Sequence, residues 1–288
     1  MVATAGSVNE PAAGGPGSWR PLASVRELVA ARELIANLVR RDLKVRHRGT
    51  FLGMLWSLTT PLLIVGLYYV IFTFLIPTFL NDNVRTDGQV VPFALSFFGG
   101  LTVWNFFSSS VTASTSSVVG SGYLLSKVYF PRAILPLSAV LSAGVTFCFE
   151  FAVLSVVTLL VVGLPGVHIL WLPLIAAVVF GLASGLALLL SVITVFLRDV
   201  AHFVGVLMQL WFWATPIIYS LEDVSSRLIR LLELNPMTGV VVSFRNVVLL
   251  GRAPDFGLLA YDAAVAVALL VGGALAFGRG QRLFSEIV

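Results

Sequence analysis

The 288-residue sequence predicts an all-α integral membrane protein. It has six transmembrane helices, an N-terminal amphipathic interface helix, and a short re-entrant outer hairpin before the last span. Three observations carry this fold class. Apolar residues make up 58% of the chain and charged residues 11%, against about half and about a quarter in an average soluble domain. Crossing a ~30 Å hydrocarbon core takes about 20 apolar residues in a helix, and six runs meet that length, at 52–76, 93–119, 133–162, 170–197, 201–219 and 258–278. The 18 Lys and Arg residues are unevenly distributed. With the N-terminus inside, thirteen fall on inner segments and five (Arg85, Arg227, Arg230, Arg245 and Arg252) on outer ones. Cationic loops stay cytoplasmic, so both termini are expected in the cytoplasm. This composition excludes an ordinary soluble enzyme or binding module, and equally a charged, disordered nucleic-acid-binding chain.

Residues 1–23 are small and polar, with Gly14, Gly15, Pro16, Gly17 and Pro21 and no apolar core. They read as a disordered cytoplasmic lead-in rather than a secretory signal. Residues 24–47 form the interface helix, opened by the capping-box pattern Ser24-Val-Arg-Glu27. At 100° per residue, Arg26, Glu33, Asn37, Arg40, Arg41, Lys44 and Arg48 share one face and Leu28, Ala31, Ile35, Leu38 and Val39 lie opposite. A basic polar face over an apolar one suits a helix lying on an anionic membrane surface, as a plain anchor or as a docking element. The transmembrane domain is 48–288.

Within it, the second run carries Ser108, Ser109, Ser110, Thr112, Ser114, Thr115, Ser116 and Ser117, which suits either close helix packing or a wet path for polar cargo. The inner segment 120–132 is short, basic and aromatic, with Tyr123, Leu124, Lys127, Tyr129 and Arg132. It reads as a knob for a partner or as a loop with interfacial tyrosines. Glu150 lies mid-span between Phe149 and Phe151. Intramembrane carboxylates are costly, so it is either a proton-coupling or cargo group or a partnered carboxyl between helices. Between the fourth and fifth runs Arg198 and Asp199 require a tight turn. Trp104 and Phe107 in the second run, and Trp211, Trp213 and Tyr219 in the fifth, suit packing or a stacking track for sugar rings along a channel. In the long outer segment 220–257, Asn235-Pro236 breaks the chain ahead of residues 237–250. As a helix these span about 21 Å, too short to cross, which makes a re-entrant hairpin bearing Phe244 and Arg245. Asp262 sits near the outer end of the last span, within reach of water.

The chain shows no Gly-x-x-x-x-Gly-Lys-Ser/Thr phosphate cradle and no His-Glu-x-x-His pair. Its histidines, His47, His168 and His202, are far apart, and Cys148 is single, so no metal site, cofactor or disulfide is expected. No catalytic constellation stands out, and the chain is expected not to be an enzyme.

Several segments together resemble the permease subunits of ABC type-2 exporters of the polysaccharide and polyol-phosphate class. They are Arg40-Arg-Asp-Leu-Lys-Val-Arg-His-Arg-Gly-Thr-Phe-Leu-Gly-Met-Leu-Trp56 leading to Pro61, Leu125-Ser-Lys-Val-Tyr-Phe-Pro-Arg132, Phe196-Leu-Arg-Asp199, Trp213-Ala-Thr-Pro-Ile-Ile-Tyr219 and Asn235-Pro-Met237. The resemblance covers residue 24 to the end. It implies two copies of this chain around an export channel, with two ATP-binding subunits docked from the cytoplasm that hold the ATP and Mg. The cargo it implies is a glycan on a polyprenyl-pyrophosphate lipid. On the same footing, Tyr123, Leu124, Lys127, Tyr129 and Arg132, with Arg40 and Arg41, couple to the ATPase. Arg46 and Arg48 hold the lipid pyrophosphate, and residues around Asn235-Pro236 gate the outer side. The Ala/Gly/Val-rich make-up resembles actinobacterial members and points to galactan as the cargo, in a bacterial plasma membrane. The alternatives are the same architecture carrying teichoic acid, O-antigen or a small lipophilic compound, or a proton-coupled secondary transporter built on Glu150. No nucleic acid partner is expected.

Overall fold

The computed structural model describes residues 32–47, 56–71, 74, 84–86, 89–122, 130–164, 166–221 and 224–281. The helices among them are α1 (Arg32–His47), α2 (Trp56–Val70), α3 (Phe93–Thr115), α4 (Ile134–Val161), α5 (Leu172–Phe196), α6 (Val200–Trp213), α7 (Ser226–Glu233), α8 (Thr238–Val248) and α9 (Phe256–Gly280). A two-stranded antiparallel ribbon, β1 (Val84–Thr86) with β2 (Gln89–Val91), precedes α3 in the register Val84↔Val91. This ribbon adds to the all-helical expectation.

Helix ends follow local chemistry. Pro92 cannot sit inside a helix, but its carbonyl starts α3 by accepting from the amides of Leu95 and Ser96. Gly163, at φ +114°, closes α4 while its amide donates to Thr158 O, the left-handed close that glycine accepts most easily. Asp255 caps α9, its carboxylate accepting from the amides of Gly257 and Leu258 at 3.0 and 3.1 Å. The turn expected at Arg198-Asp199 is present. Leu197 is extended, and Asp199 O accepts from Phe203 N at the start of α6.

Among the described residues three stretches are long and apolar enough to cross a membrane: Ile134–Val161, Val167–Phe196 and Phe256–Gly280. The 23 residues of α3 cover about 34 Å, but hydroxyls through its second half dilute its hydropathy. The expected run 201–219 is helical only to Trp213, giving 14 residues. Pro216 cannot prolong the helix, because its ring would clash with the carbonyl four residues back.

α5 is the central helix. In its spanning window 61% of residues are buried, against 22% for α4 and for α9. Its seam with α9 depends on missing side chains. A Cβ on Gly185 would lie 2.5 Å from the Leu269 carbonyl carbon, and one on Gly273 would meet the Gly185 carbonyl oxygen. Gly181 and Gly185, four apart, form the small-xxx-small pattern that lets two helix backbones touch. Around this seam a single aromatic-rich core runs through Phe98, Phe106, Phe107 and Phe244. A second, smaller cluster joins Leu38 of α1 to Ile134, Leu135, Val192 and Phe277. Of the apolar face expected for α1, Leu38 and the partly buried Ile35 are seated on the ends of α4, α5 and α9, and Leu28 and Ala31 lie outside the described residues. Large apolar side chains remain outside, notably Leu62, Leu63 and Leu67 of α2, Val156, Leu159 and Leu160 of α4, and Phe203, Val206 and Leu210 of α6. Exposed apolar area on this scale requires lipid or a partner surface.

A leucine at Gly185 is expected to destabilise the fold by about 3 kcal/mol or more through overpacking. A leucine at Gly272, which has nothing within 4 Å, is expected to be tolerated. Fluorescence-detected gel filtration after graded heating checks both, and equal profiles would remove the seam's role.

Candidate functional site

Among the described residues, the most elaborate polar construction lies where α6 stops and the hairpin leading to α8 begins. Asn235 is at its centre. Its Oδ1 accepts from Trp211 Nε1 at 2.8 Å and from Met237 N at 3.0 Å. Its Nδ2 donates to Ala214 O at 2.9 Å and to Thr215 Oγ1 at 3.0 Å. Two acceptor and two donor positions are all a side-chain amide has, so this one is fully used. Thr215 Oγ1 in turn donates to Trp211 O, and Pro236 fills the turn that leads into α8. The expected chain break at Asn235-Pro236 is thus also a knot that holds the frayed end of α6.

Arg245, from α8, forms the second tie. Its Nε donates to Ser96 O at 2.9 Å and its Nη1 to Pro216 O at 2.8 Å, and its Nη2 donates to Ile217 O. Among the described residues no carboxylate pairs with it, so carbonyl dipoles stabilise its charge. The rigid guanidinium fork suits three fixed acceptors, where an ammonium would not. Gly100 makes room for it, since a Cβ there would lie 2.8 Å from Arg245 Nη2. Phe244 beside it is 1% exposed and packs edge-on against Phe151.

Asp262 forms the third tie and corrects one expectation. It does not reach water but is 0% exposed. Its Oδ2 accepts from Val240 N at 2.7 Å, giving α8 a negative group at its positive end. Gly239 is what allows that approach, because a Cβ would stand 2.5 Å from Asp262 Oδ2. Neither Asp262 nor Gly100 stands out from sequence as part of the hairpin. The available signal was a lone acid in an apolar helix and a lone arginine in an apolar run.

The aromatic residues divide. Trp104 and Phe107 are 5% and 0% exposed, packed edge-to-face on Trp211 with ring centroids 6.4 and 5.3 Å apart. In this conformation they are core, because the knot draws Trp211 inward. Trp213 faces outward, and its carbonyl accepts from the Tyr219 hydroxyl. Glu150 is half-buried with Asn105, whose Nδ2 donates to Oε2 at 3.5 Å, so a polar partner from α3 faces it. Many of the α3 hydroxyls turn back on their own helix. Ser114 and Thr115 both donate to Val111 O, and Ser109 to Asn105 O.

At the opposite end, Arg40 and Arg41 lie on the exposed face of α1, Arg41 paired with Asp42 at 3.3 Å. Arg46 lies near the end of α1. Arg132 donates from Nη1 to Gln281 O at 2.6 Å, linking the inner segment to the end of α9. Tyr123, Leu124, Lys127, Tyr129 and Arg48 lie outside the described residues, as does the expected capping box at Ser24. Among the described residues no group of three or more His, Cys, Asp or Glu is placed to hold a metal ion.

Three helices long and apolar enough to cross a membrane among the described residues, with a short hairpin knotted back onto a broken helix, mark the chain as a membrane protein. Residues 33–249 match the ABC-2 type transporter family, and the chain belongs to that family. It is 34% identical to the O-antigen export system permease protein RfbA of Myxococcus xanthus over 271 residues, covering 92% of this chain and 98% of that protein. It is 29% identical to a Klebsiella pneumoniae protein of the same name over 258 residues, 89% of this chain and 95% of that one.

Replacing Asn235 by alanine orphans Trp211 Nε1 and Met237 N, at about 1–3 kcal/mol per buried group. Arg245→Gln breaks the three-carbonyl tie at a comparable cost. Both variants are expected to unfold at lower temperature than wild type in a detergent thermal-shift assay. Wild-type stability in both would mean that the knot does not hold the hairpin.

Proposed function

We propose that the chain is the transmembrane subunit of an ATP-driven exporter. It moves a polyprenyl-pyrophosphate-linked polysaccharide from the cytoplasmic to the outer side of a bacterial plasma membrane. The observation that carries the reading is the family match over 33–249, together with relatives named as O-antigen export permeases that align over nearly their whole length. The absence from this sequence of a phosphate cradle supports a motor supplied in trans by two ATP-binding subunits, which bind the nucleotide and Mg. Two copies of the chain around one channel are the economical way to enclose a glycan, and an isologous pair closes on itself. The exposed apolar faces of α2 and α6 are compatible with that pairing and with lipid.

In this reading α1 lies at the inner membrane surface and six segments cross, with both termini cytoplasmic. The helix and the segment 120–132 carry partner closure to the spans. Tyr123, Leu124 and Tyr129 fill a groove on the ATPase, while Lys127, Arg132, Arg40 and Arg41 orient it. Aromatic anchors supply most of such an affinity and charges the orientation. Arg46 and Arg48 hold the pyrophosphate, for which the arginine fork is suited. Trp213 and Tyr219 offer the aromatic surface nearest a channel, with Trp211 reached when the knot loosens. The hairpin carrying Asn235, Pro236, Phe244 and Arg245 closes the outer side between transport events. Glu150 acts as a polar contact with Asn105 rather than as a proton relay. The Ala/Gly/Val-rich composition supports galactan as the cargo, and the relatives' names support an O-antigen-type polymer as the second reading.

Mild-detergent purification of the tagged chain with mass spectrometry tests the assembly. A stoichiometric ATP-binding subunit and a co-purifying polyprenyl glycan are expected, and the sugars identify the cargo. A homogeneous chain with no ATPase would reject the exporter reading. Tyr129→Ala and Lys127→Ala are expected to abolish export while ATP binding by the partner persists, and normal export in both would remove the coupling role. Glu150→Gln is expected to export normally.

A further inference from the structure

Where α1 crosses the ends of α3 and α4, the helices leave a cleft of about 480 Å³, within the range of small-ligand sites, about 300–1,000 Å³. One wall is the hydroxyl-bearing end of α3 and the other is the first turns of α4, with Arg41 and Asp42 of α1 at the mouth. Leu135 and Ala139 add an apolar strip.

Two features specify what this cleft accepts. Ser142, which lines it, is 2% exposed, and its Oγ has no hydrogen-bond partner. A buried hydroxyl left so is a cost that a ligand in the cleft removes once rotation about the Ser142 Cα–Cβ bond turns Oγ toward it. The protons of two other lining hydroxyls are already committed, Ser117 to Ser114 O at 2.7 Å and Ser138 to Leu135 O at 2.9 Å. What those serines still offer is acceptor capacity, to which Asp42 adds a carboxylate. An anion only accepts, so it gains nothing from these two hydroxyls or from Asp42. Arg41 is already paired with Asp42, and the carbonyl dipoles at the C-terminal end of α3 offset the amide dipoles at the start of α4. A ring or chain of hydroxyls supplies the donors, and its C–H face suits the apolar strip.

We propose that this cleft binds an uncharged polyhydroxyl group, a sugar ring or a polyol headgroup, presented by a lipid at the membrane surface under α1. Its chemistry follows from the cleft, and its position at the inner leaflet rests on the export reading above.

The test uses the full-length chain in nanodiscs of phosphatidylethanolamine and phosphatidic acid, neither of which has a polyol headgroup, with affinities measured by native mass spectrometry. The probes are polyprenyl-phosphate galactose, the same polyprenyl phosphate without sugar, and phosphatidylinositol. Wild type is expected to bind at least one polyhydroxyl lipid, and, where it binds the galactosylated polyprenyl phosphate, to bind the sugar-free form more weakly. Ser142→Ala is expected to weaken binding about five- to tenfold. Ala113→Leu, on an exposed helix position lining the cleft, is expected to weaken it at least as much. Binding of the galactolipid alone marks the site as one for cargo, and binding of phosphatidylinositol alone as one for a resident lipid. Binding of both marks it as a general polyol site. The proposal is overturned if neither polyhydroxyl lipid binds, if sugar-free polyprenyl phosphate binds as tightly as its galactosylated form, or if both variants keep wild-type affinity. None of these readouts involves transport. A missing ATP-binding subunit would remove the export reading and leave the cleft affinities standing.

Discussion

A helix that breaks inside an apolar surrounding leaves carbonyls and amides that no solvent can satisfy, and the half of this molecule that carries the hairpin is organised around that constraint. α6 stops at Trp213, several residues short of a full crossing, and α8 starts and ends within the same layer. Three side chains answer the exposed backbone. Asn235 takes Ala214 O and Met237 N, Arg245 takes Ser96 O, Pro216 O and Ile217 O, and Asp262 takes Val240 N. Each comes from a different element, so the hairpin is held to α3, α6 and α9 together.

The remainder of the bundle uses a different means of close contact. Between α5 and α9 the glycine seam lets backbones meet, and dispersion over that contact replaces the hydrophobic drive that lipid cannot provide. Gly144 serves a similar end on α4, where a Cβ would lie 2.8 Å from the Phe180 ring. Phe106 and Phe180, with centroids 4.3 Å apart, fill the space so released. Along α3, the hydroxyls of Thr102, Ser109, Ser114 and Thr115 bond to their own helix, which satisfies them while leaving the surface small.

Much of this was legible in the sequence where long period and composition decide. The runs 133–162, 170–197 and 258–278 became α4, α5 and α9 with boundaries moved by a few residues, because an uninterrupted apolar helix has little alternative in lipid. The run 201–219 was less faithful. Its hydropathy continues past Pro216, but the backbone cannot, and the amide that catches its broken end lies some 20 residues away. Asp262 was misjudged for the same reason. A carboxylate near a span end ordinarily reaches water, and only the three-dimensional neighbour, the start of α8, claims it. Trp104 and Phe107 suit packing or a stacking track in one dimension and are packed core in three, since the direction of an aromatic side chain depends on what packs over it. The cleft at α1 left no one-dimensional trace beyond a serine-rich stretch, whose period fits either packing or a wet surface.

The link from Arg132 to the carbonyl of Gln281 spans 149 positions of sequence. It joins the segment between α3 and α4 to the final turn of the bundle. A pull on that segment therefore reaches two places at once: the start of α4 through the chain, and the foot of α9 through this one bond. Because α9 meets α5 backbone to backbone at the glycine seam, the second route ends on the helix pair with the closest contact in the bundle.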